Sequence, residues 1–175
     1  MGILHRIYCM DLDELTALVI IAVVIFLFLD QYLKKFPWRK LLLGLLFVIW
    51  LGITLYTTVF SRTPKAESQI LPLLESYRQL LAGGNREILR SNYMNVLLFF
   101  PAGLLTVKLL PESWSRKKKL LVGALGLLML SAALEAAQYY FRLGRVEMDD
   151  LLHNTLGAIL GAIAACVPIP KINQE

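Results

Sequence analysis

Charge is scarce in this sequence. Only 18% of its 175 residues are Asp, Glu, Lys or Arg, where about a quarter is usual for a soluble domain. That shortage excludes an ordinary soluble globule. Disorder is excluded more firmly, because 57% of the residues are hydrophobic. Cysteine is almost missing. Cys9 and Cys166 stand far apart and in no metal-like spacing, so neither a disulfide framework nor a zinc site is expected. No serine or cysteine is set beside an obvious base, which removes the usual signature of nucleophilic catalysis. No repeat or low-complexity segment appears. The first apolar run is expected to be an uncleaved span rather than a signal peptide. It follows Asp11, Asp13 and Glu14 rather than a basic segment, and no small-residue cleavage motif comes after it.

What the sequence has is long apolar runs. At roughly 20 residues per crossing there is room for at most five spans. They fall at 15–29, 41–60, 93–110, 120–141 and 151–167. The first is short, and Leu12, Tyr32 and Leu33 extend it by tilting and snorkelling. The expected fold class is all-α, a polytopic helical membrane protein. Residues 1–40 form the first span with its basic loop, 41–167 the main membrane domain, and 168–175 a short tail. The net charge of +5 reads as Lys/Arg retention at the cytoplasmic face and contact with anionic lipids, with no nucleic acid partner. The short loops 30–40 and 111–119 are the basic ones, the latter with Arg116, Lys117, Lys118 and Lys119. Placing them inside predicts the N-terminus outside, loops 61–92 and 142–150 outside, and the C-terminus inside.

Loop 61–92 carries a pattern of its own. Ile70, Leu71, Leu74, Tyr77 and Leu81 follow helical spacing, and Gly83, Gly84 and Asn85 read as a helix stop. The spacing predicts an amphipathic helix, either lying in the outer interface or packed on the end of the bundle.

Of all the charged residues, only Glu135 sits well inside a span. An ionisable group in hydrocarbon is costly and marks function by default. Gln138 and Arg142 follow at i+3 and i+7 on the same helix face. The next span offers a matching stripe of Asp150, Asn154, Gly157 and Gly161. The connection between the two spans is short, so they are expected to be antiparallel neighbours. Gly157 and Gly161, three residues apart between them, allow a close helix approach. Asp149 and His153 form a second pair, with Arg145 just before. Arg62 ends the second span above Thr57 and Thr58, and Asn92 and Asn95 open the third. Pro101 frees a backbone carbonyl one turn earlier and bends its helix. All these groups belong to one half of the membrane, which points to one polar cavity open to the outside.

Blander readings stand beside this one. Glu135 can pair with Arg62, Arg142 or Arg145 simply to glue the bundle. Acids with His153 are of the types a metal takes, but no metal or other cofactor is expected. A catalytic pair of Glu135 with Asp150 is chemically sound. Gly157 and Gly161 read as packing, and Asp149 and Asp150 also suit a helix N-terminus.

The ordered motifs resemble the VanZ-like family of bacterial membrane proteins. They are Thr57-Thr58-Val59-Phe60-Ser61-Arg62, then Gln69-Ile70-Leu71-Pro72-Leu73, then Asn92-Tyr93-Met94-Asn95 leading to Pro101-Ala102-Gly103. Glu135 with Gln138, Arg145, and Asp149-Asp150-Leu151-Leu152-His153-Asn154-Thr155-Leu156-Gly157 follow, with Gly161 after them. The resemblance covers roughly 41–167. It implies a bacterial cell-envelope protein similar to one that gives low-level teicoplanin resistance. It also implies that Arg62, Asn92, Asn95, Pro101, Glu135, Gln138, Arg145, Asp149, Asp150 and Asn154 are the polar residues that matter.

The expected function is binding of an amphipathic ligand in an outward polar pocket. A glycopeptide antibiotic tail, a membrane lipid or a lipid-linked wall precursor fits that description. The alternatives are a membrane enzyme using Glu135 or Asp150 as acid or base, and a small transporter. The latter would need a homo-oligomer, since five spans are few and no inverted repeat is seen.

Overall fold

The computed structural model describes residues 12–83 and 86–168. These fall into two compact units, residues 12–39 with Pro168, and residues 40–167. The smaller unit is helix α1 (Leu12–Leu33) and the turn after it. Within it the Arg39 Nε donates to Asp30 at 2.7 Å. That ion pair closes the connection by neutralising an acid at the end of an apolar helix with a cation in the basic loop.

The larger unit begins in α2 (Arg39–Leu55), which passes into a π turn at Tyr56–Phe60. The Ser61 amide donates to the Tyr56 carbonyl at 2.8 Å, one residue farther than in an α-helix. Thr57 and Thr58 explain why an apolar helix tolerates this. Their hydroxyls donate to the Ile53 carbonyl at 2.9 Å and the Thr54 carbonyl at 2.7 Å, so threonine supplies its own partners inside the helix. The extra residue rotates the chain just before Arg62.

The chain then forms β1 (Gln69–Leu71), α3 (Glu75–Leu81), α4 (Arg86–Leu109), α5 (Arg116–Tyr140), β2 (Arg145–Glu147) and α6 (Met148–Ala165). Strands β1 and β2 pair in parallel, Gln69 opposite Arg145 and Leu71 opposite Glu147. This corrects the helical reading of Ile70 and Leu71. Pro72 biases Leu71 away from helical angles, and residues 145–147 supply a strand partner that periodicity cannot reveal. The helix starts only at Glu75 and ends at Leu81, and Gly83 follows in a left-handed conformation at φ 91°. Gly84 and Asn85 lie outside the described residues.

Among the described residues, four helices are long and apolar enough to cross a membrane: Thr16–Leu33, Arg39–Phe60, Arg86–Leu109 and Arg116–Tyr140. The expected count was five. The segment 151–167 is indeed helical, as part of α6, but its first two turns carry Asp149, Asp150, His153 and Asn154, which dilute its apolar length. Helix α4 starts seven residues before the expected span at 93, so Asn92 and Asn95 sit within a helix rather than at its edge. Helix α5 starts at Ser115, whose hydroxyl accepts from the Lys118 amide at 3.3 Å as an N-cap. Apolar side chains such as Leu41, Val48, Leu121 and Met129 are exposed, as expected where lipid replaces water.

The core of the larger unit gathers Trp50, Phe99, Ala102, Leu127, Leu134 and Ala158 from α2, α4, α5 and α6. The Trp50 and Phe99 rings meet edge to face, centroids 5.6 Å apart. Pro101 lies inside α4 and removes an N–H, leaving the Leu97 carbonyl without its helical donor. At the next carbonyl along, Leu98, the Trp50 indole donates at 2.7 Å, which adds a donor to the bent stretch.

The closest helix contact is α4 against α6. Gly157 faces the Val96 carbonyl, Gly161 the Phe100 carbonyl, and Gly103 the Ala158 carbonyl, each so near that no Cβ would fit. Small residues at an interface let backbones meet this way. The resulting packing holds the polar N-terminal turns of α6 beside Asn92 and Asn95.

Asp149 ties the loop to this end. Its carboxylate accepts from the Ser76 hydroxyl at 2.6 Å, the Ser76 amide at 2.8 Å and the Leu74 amide. Asn92 donates to the Ser76 hydroxyl at 3.1 Å. Asp149 precedes the apolar part of its helix. Burial alone would raise its carboxyl, but the bonds from Ser76 and Leu74 outweigh that and hold it below the usual range. Leu74 is left-handed at φ 68°, which costs about 1–2 kcal/mol, and the grip of Asp149 offsets that strain. Tyr77 adds a 2.8 Å bond to His153. Helix α3 is therefore docked on the bundle end, while Leu81 stays almost wholly exposed.

The α4–α6 contact gives a direct prediction. Gly157→Leu should force the helices apart and abolish a monodisperse species on size exclusion in detergent. Gly126→Leu, where a Cβ meets nothing within 4 Å, should leave the elution profile unchanged.

Candidate functional site

The site assembles around Glu135. Helix α5 presents Glu135 and Gln138 one turn apart, and both are buried, at 5% and 2% exposure. Arg62 arrives from the π turn of α2, and its Nη1 donates to the Gln138 side-chain oxygen at 3.2 Å. A π turn near a functional residue is a frequent arrangement, because the added residue re-aims the side chain that follows. Asp150 arrives from the first turn of α6, and Asn95 of α4 donates to it at 2.6 Å. Asp150 and Arg62 are the charged side chains acting most strongly on Glu135, and the Glu147 amide also approaches it. Four elements thus converge on one carboxylate.

The Glu135 carboxylate is only half satisfied. Its Oε2 is buried and has no hydrogen-bond partner among the described residues. Leaving such an atom unpaired costs about 1–3 kcal/mol or more. Asp150 stands before the apolar part of α6. Burial pushes its carboxyl up to about 7, with the neighbouring Glu147 and Asp149 charges adding to the shift, while Arg62 and the Asn95 bond oppose it.

The other expected residues are placed nearby but not all in this cluster. Asn92 belongs with Ser76 and Asp149 in the clamp on α3. Asn154 donates to the Ser131 hydroxyl at 2.8 Å, joining α6 to α5 one turn below Glu135. Arg145 is exposed on β2 opposite Gln69. Arg142 is exposed too, in a left-handed conformation at φ 56° where α5 ends. Pro101, Gly157 and Gly161 shape helices and touch none of the polar groups. His153 is engaged with Tyr77, and no group of three or more His, Cys, Asp and Glu that could hold a metal ion is found among the described residues.

Several partners escaped sequence reasoning. Ser131 is detectable in hindsight, since it lies at i−4 from Glu135 on one helix face. Ser76 and Tyr77 are not, because their roles depend on where α3 docks. Lys65 was also missed. It follows Arg62 in the same loop, and its amide donates to the Arg142 carbonyl at 2.7 Å.

Chemically the cluster offers opposite things at its two sides. The carboxylates of Glu135 and Asp150 accept from hydroxyl or ammonium groups. The Arg62 guanidinium serves anions.

Comparison with curated proteins and with solved structures finds no match. A family model described as VanZ/LLP1 matches residues 15–168. That span includes the first helix, which the motif resemblance did not. With the match covering most of the chain and four helices able to cross a membrane, the chain belongs to the VanZ/LLP1 family of VanZ-like membrane proteins.

Proposed function

We propose that this protein binds the head of an amphipathic ligand at the Arg62–Glu135–Asp150 cluster, in the cytoplasmic membrane of a bacterium. The observation that carries the reading is the buried Glu135 Oε2 left without a hydrogen-bond partner among the described residues. A purely structural carboxylate would be expected to satisfy both oxygens, as Asp149 does. An open acceptor supports a role toward a ligand donor. In this reading Arg62, with Arg145 from the exposed strand edge, holds anionic groups of the head, and Glu135, Asp150, Asn95 and Gln138 accept or donate to its hydroxyl and amine groups. The acyl portion stays in the bilayer. A glycopeptide antibiotic with a fatty tail has this chemistry, and so does a lipid-linked cell-wall precursor.

A second reading rests on one further observation. The Asp150 carboxyl, pushed up to about 7, lies next to a second carboxylate. Unequal paired acids suit general acid–base work on a lipid-linked substrate.

The basic loops 30–40 and 111–119 support an orientation with the cluster facing outward. With α6 as a fifth crossing, a reporter active only in the cytoplasm should work when fused at residue 175 and fail when inserted in loop 61–92. The reverse pattern would overturn the outward site.

Teicoplanin susceptibility tests the binding role. Expression of the wild type should raise the inhibitory concentration, and Glu135→Gln should abolish the rise at equal protein level. No change on either deletion or overexpression would sink the resistance role. Precursor profiling of the same strains separates the two readings. An enzyme leaves a substrate that accumulates on deletion and in Glu135→Gln alike, whereas a binder leaves none.

A further inference from the structure

The turn from α5 to β2 gathers four cations, of which Lys65 and Arg142 have no part in the cluster described above. Residues 62–68 are strapped across the end of α5. The Lys65 amide donates to the Arg142 carbonyl at 2.7 Å, and the Ser68 hydroxyl to the Tyr139 carbonyl at 3.2 Å. This strap brings two side chains over Gly144. The Lys65 Nζ lies 3.7 Å, and the Arg62 Nη1 4.0 Å, from the point where a Gly144 Cβ would sit. Both cations therefore face one small space beside a residue that has no side chain. Arg142 and Arg145 flank it on either side of Gly144 in sequence.

None of these four cations is in ion-pair contact with a carboxylate among the described residues. Like charges brought this close repel unless an anion joins them. The negative end of the α5 dipole offers only about half a charge, too little for four. Arg62 reaches toward the buried acids, since it acts on both Glu135 and Asp150. Arg142 also holds a left-handed conformation that glycine would take more easily.

We propose that Arg62 and Lys65 form a phosphate site over Gly144 for the head of a membrane-anchored lipid, with Glu135 placed to accept from any ammonium or hydroxyl group that the head also carries. This rests on the binding role proposed above and names the ligand class for it. The phosphate oxygens take the guanidinium as a fork and the ammonium as a point charge. Arg62 and Lys65 are both exposed and so open to a head group, and Arg142 and Arg145 add to the local positive potential. A second group of the head lies along the face of α5 where Gln138, bonded to Arg62, and then Glu135 follow one turn apart. The phosphate can belong to a bulk glycerophospholipid or to an isoprenoid carrier, and both present the same chemistry to Arg62 and Lys65.

The test is binding of short-chain probes to the full chain in neutral detergent, read by native mass spectrometry. The probes are dioctanoyl phosphatidylethanolamine, farnesyl pyrophosphate and the phosphate-free dioctanoylglycerol. At least one phosphate-bearing probe should bind, and dioctanoylglycerol should not compete. Lys65→Gln and Arg62→Gln should each weaken binding about tenfold, while Lys117→Gln, in the first turn of α5 at its other end, should not. Preference for phosphatidylethanolamine assigns the bulk lipid, and preference for farnesyl pyrophosphate assigns the carrier. Equal binding of dioctanoylglycerol, or unchanged affinity in Lys65→Gln, would overturn the site. Lys65 is exposed and outside the helices, so its variant should fold. Loss of phosphate binding in Lys65→Gln without any effect of Glu135→Gln on susceptibility would keep the phosphate site and remove the antibiotic role. The converse would remove the phosphate site alone.

Discussion

Backbone proximity between α4 and α6 is the constraint on which the site depends. Gly103, Gly157 and Gly161 each face a carbonyl of the opposite helix with no room for a Cβ. In a membrane the hydrophobic effect does not drive helices together, because lipid is as apolar as leucine. Close packing and polar contacts must do it instead. The glycines allow the first, and they bring the polar start of α6 against the polar start of α4 to make the second. Asn95 meets Asp150 only because the two backbones meet one turn farther along.

That geometry lets two adjacent acids do different work. Successive residues on a helix point about 100° apart, so Asp149 turns toward α3 and Asp150 toward Glu135. Asp149 is saturated by Ser76 and Leu74 and fixes the loop. Asp150 has one clear donor in Asn95 and shares its surroundings with Glu135 and Arg62. The neighbouring pair thus separates into a clamp and a member of the candidate site. The phosphate site would extend the same end of the unit outward, from buried acceptors to exposed cations.

Most of the helical architecture was legible in the sequence, because apolar runs are local and lipid demands them. The polar cluster was legible for a related reason: Glu135 is conspicuous where almost nothing else is charged, and Gln138 follows on its face. What stayed hidden depends on distant partners. Ile70 and Leu71 kept helical spacing yet pair as a strand with Val146 and its neighbours. Ser76 acquires its role only once α3 docks on Asp149. The π turn before Arg62 gave no signal beyond two threonines. The division of the polar residues into a clamp, a cluster and the Asn154–Ser131 bond likewise needed three dimensions, since all of them share similar helical spacing.

The central claim is that Glu135 is kept for a ligand and not for the fold. Thermal unfolding of Glu135→Leu in detergent tests it most directly. Replacing a half-satisfied buried carboxylate by an apolar side chain removes a penalty of about 1–3 kcal/mol. The midpoint should therefore hold or rise, by roughly 2–4 °C per kcal/mol for a chain of this size. A fall of several degrees would show that Glu135 cements the bundle, and would contradict the account.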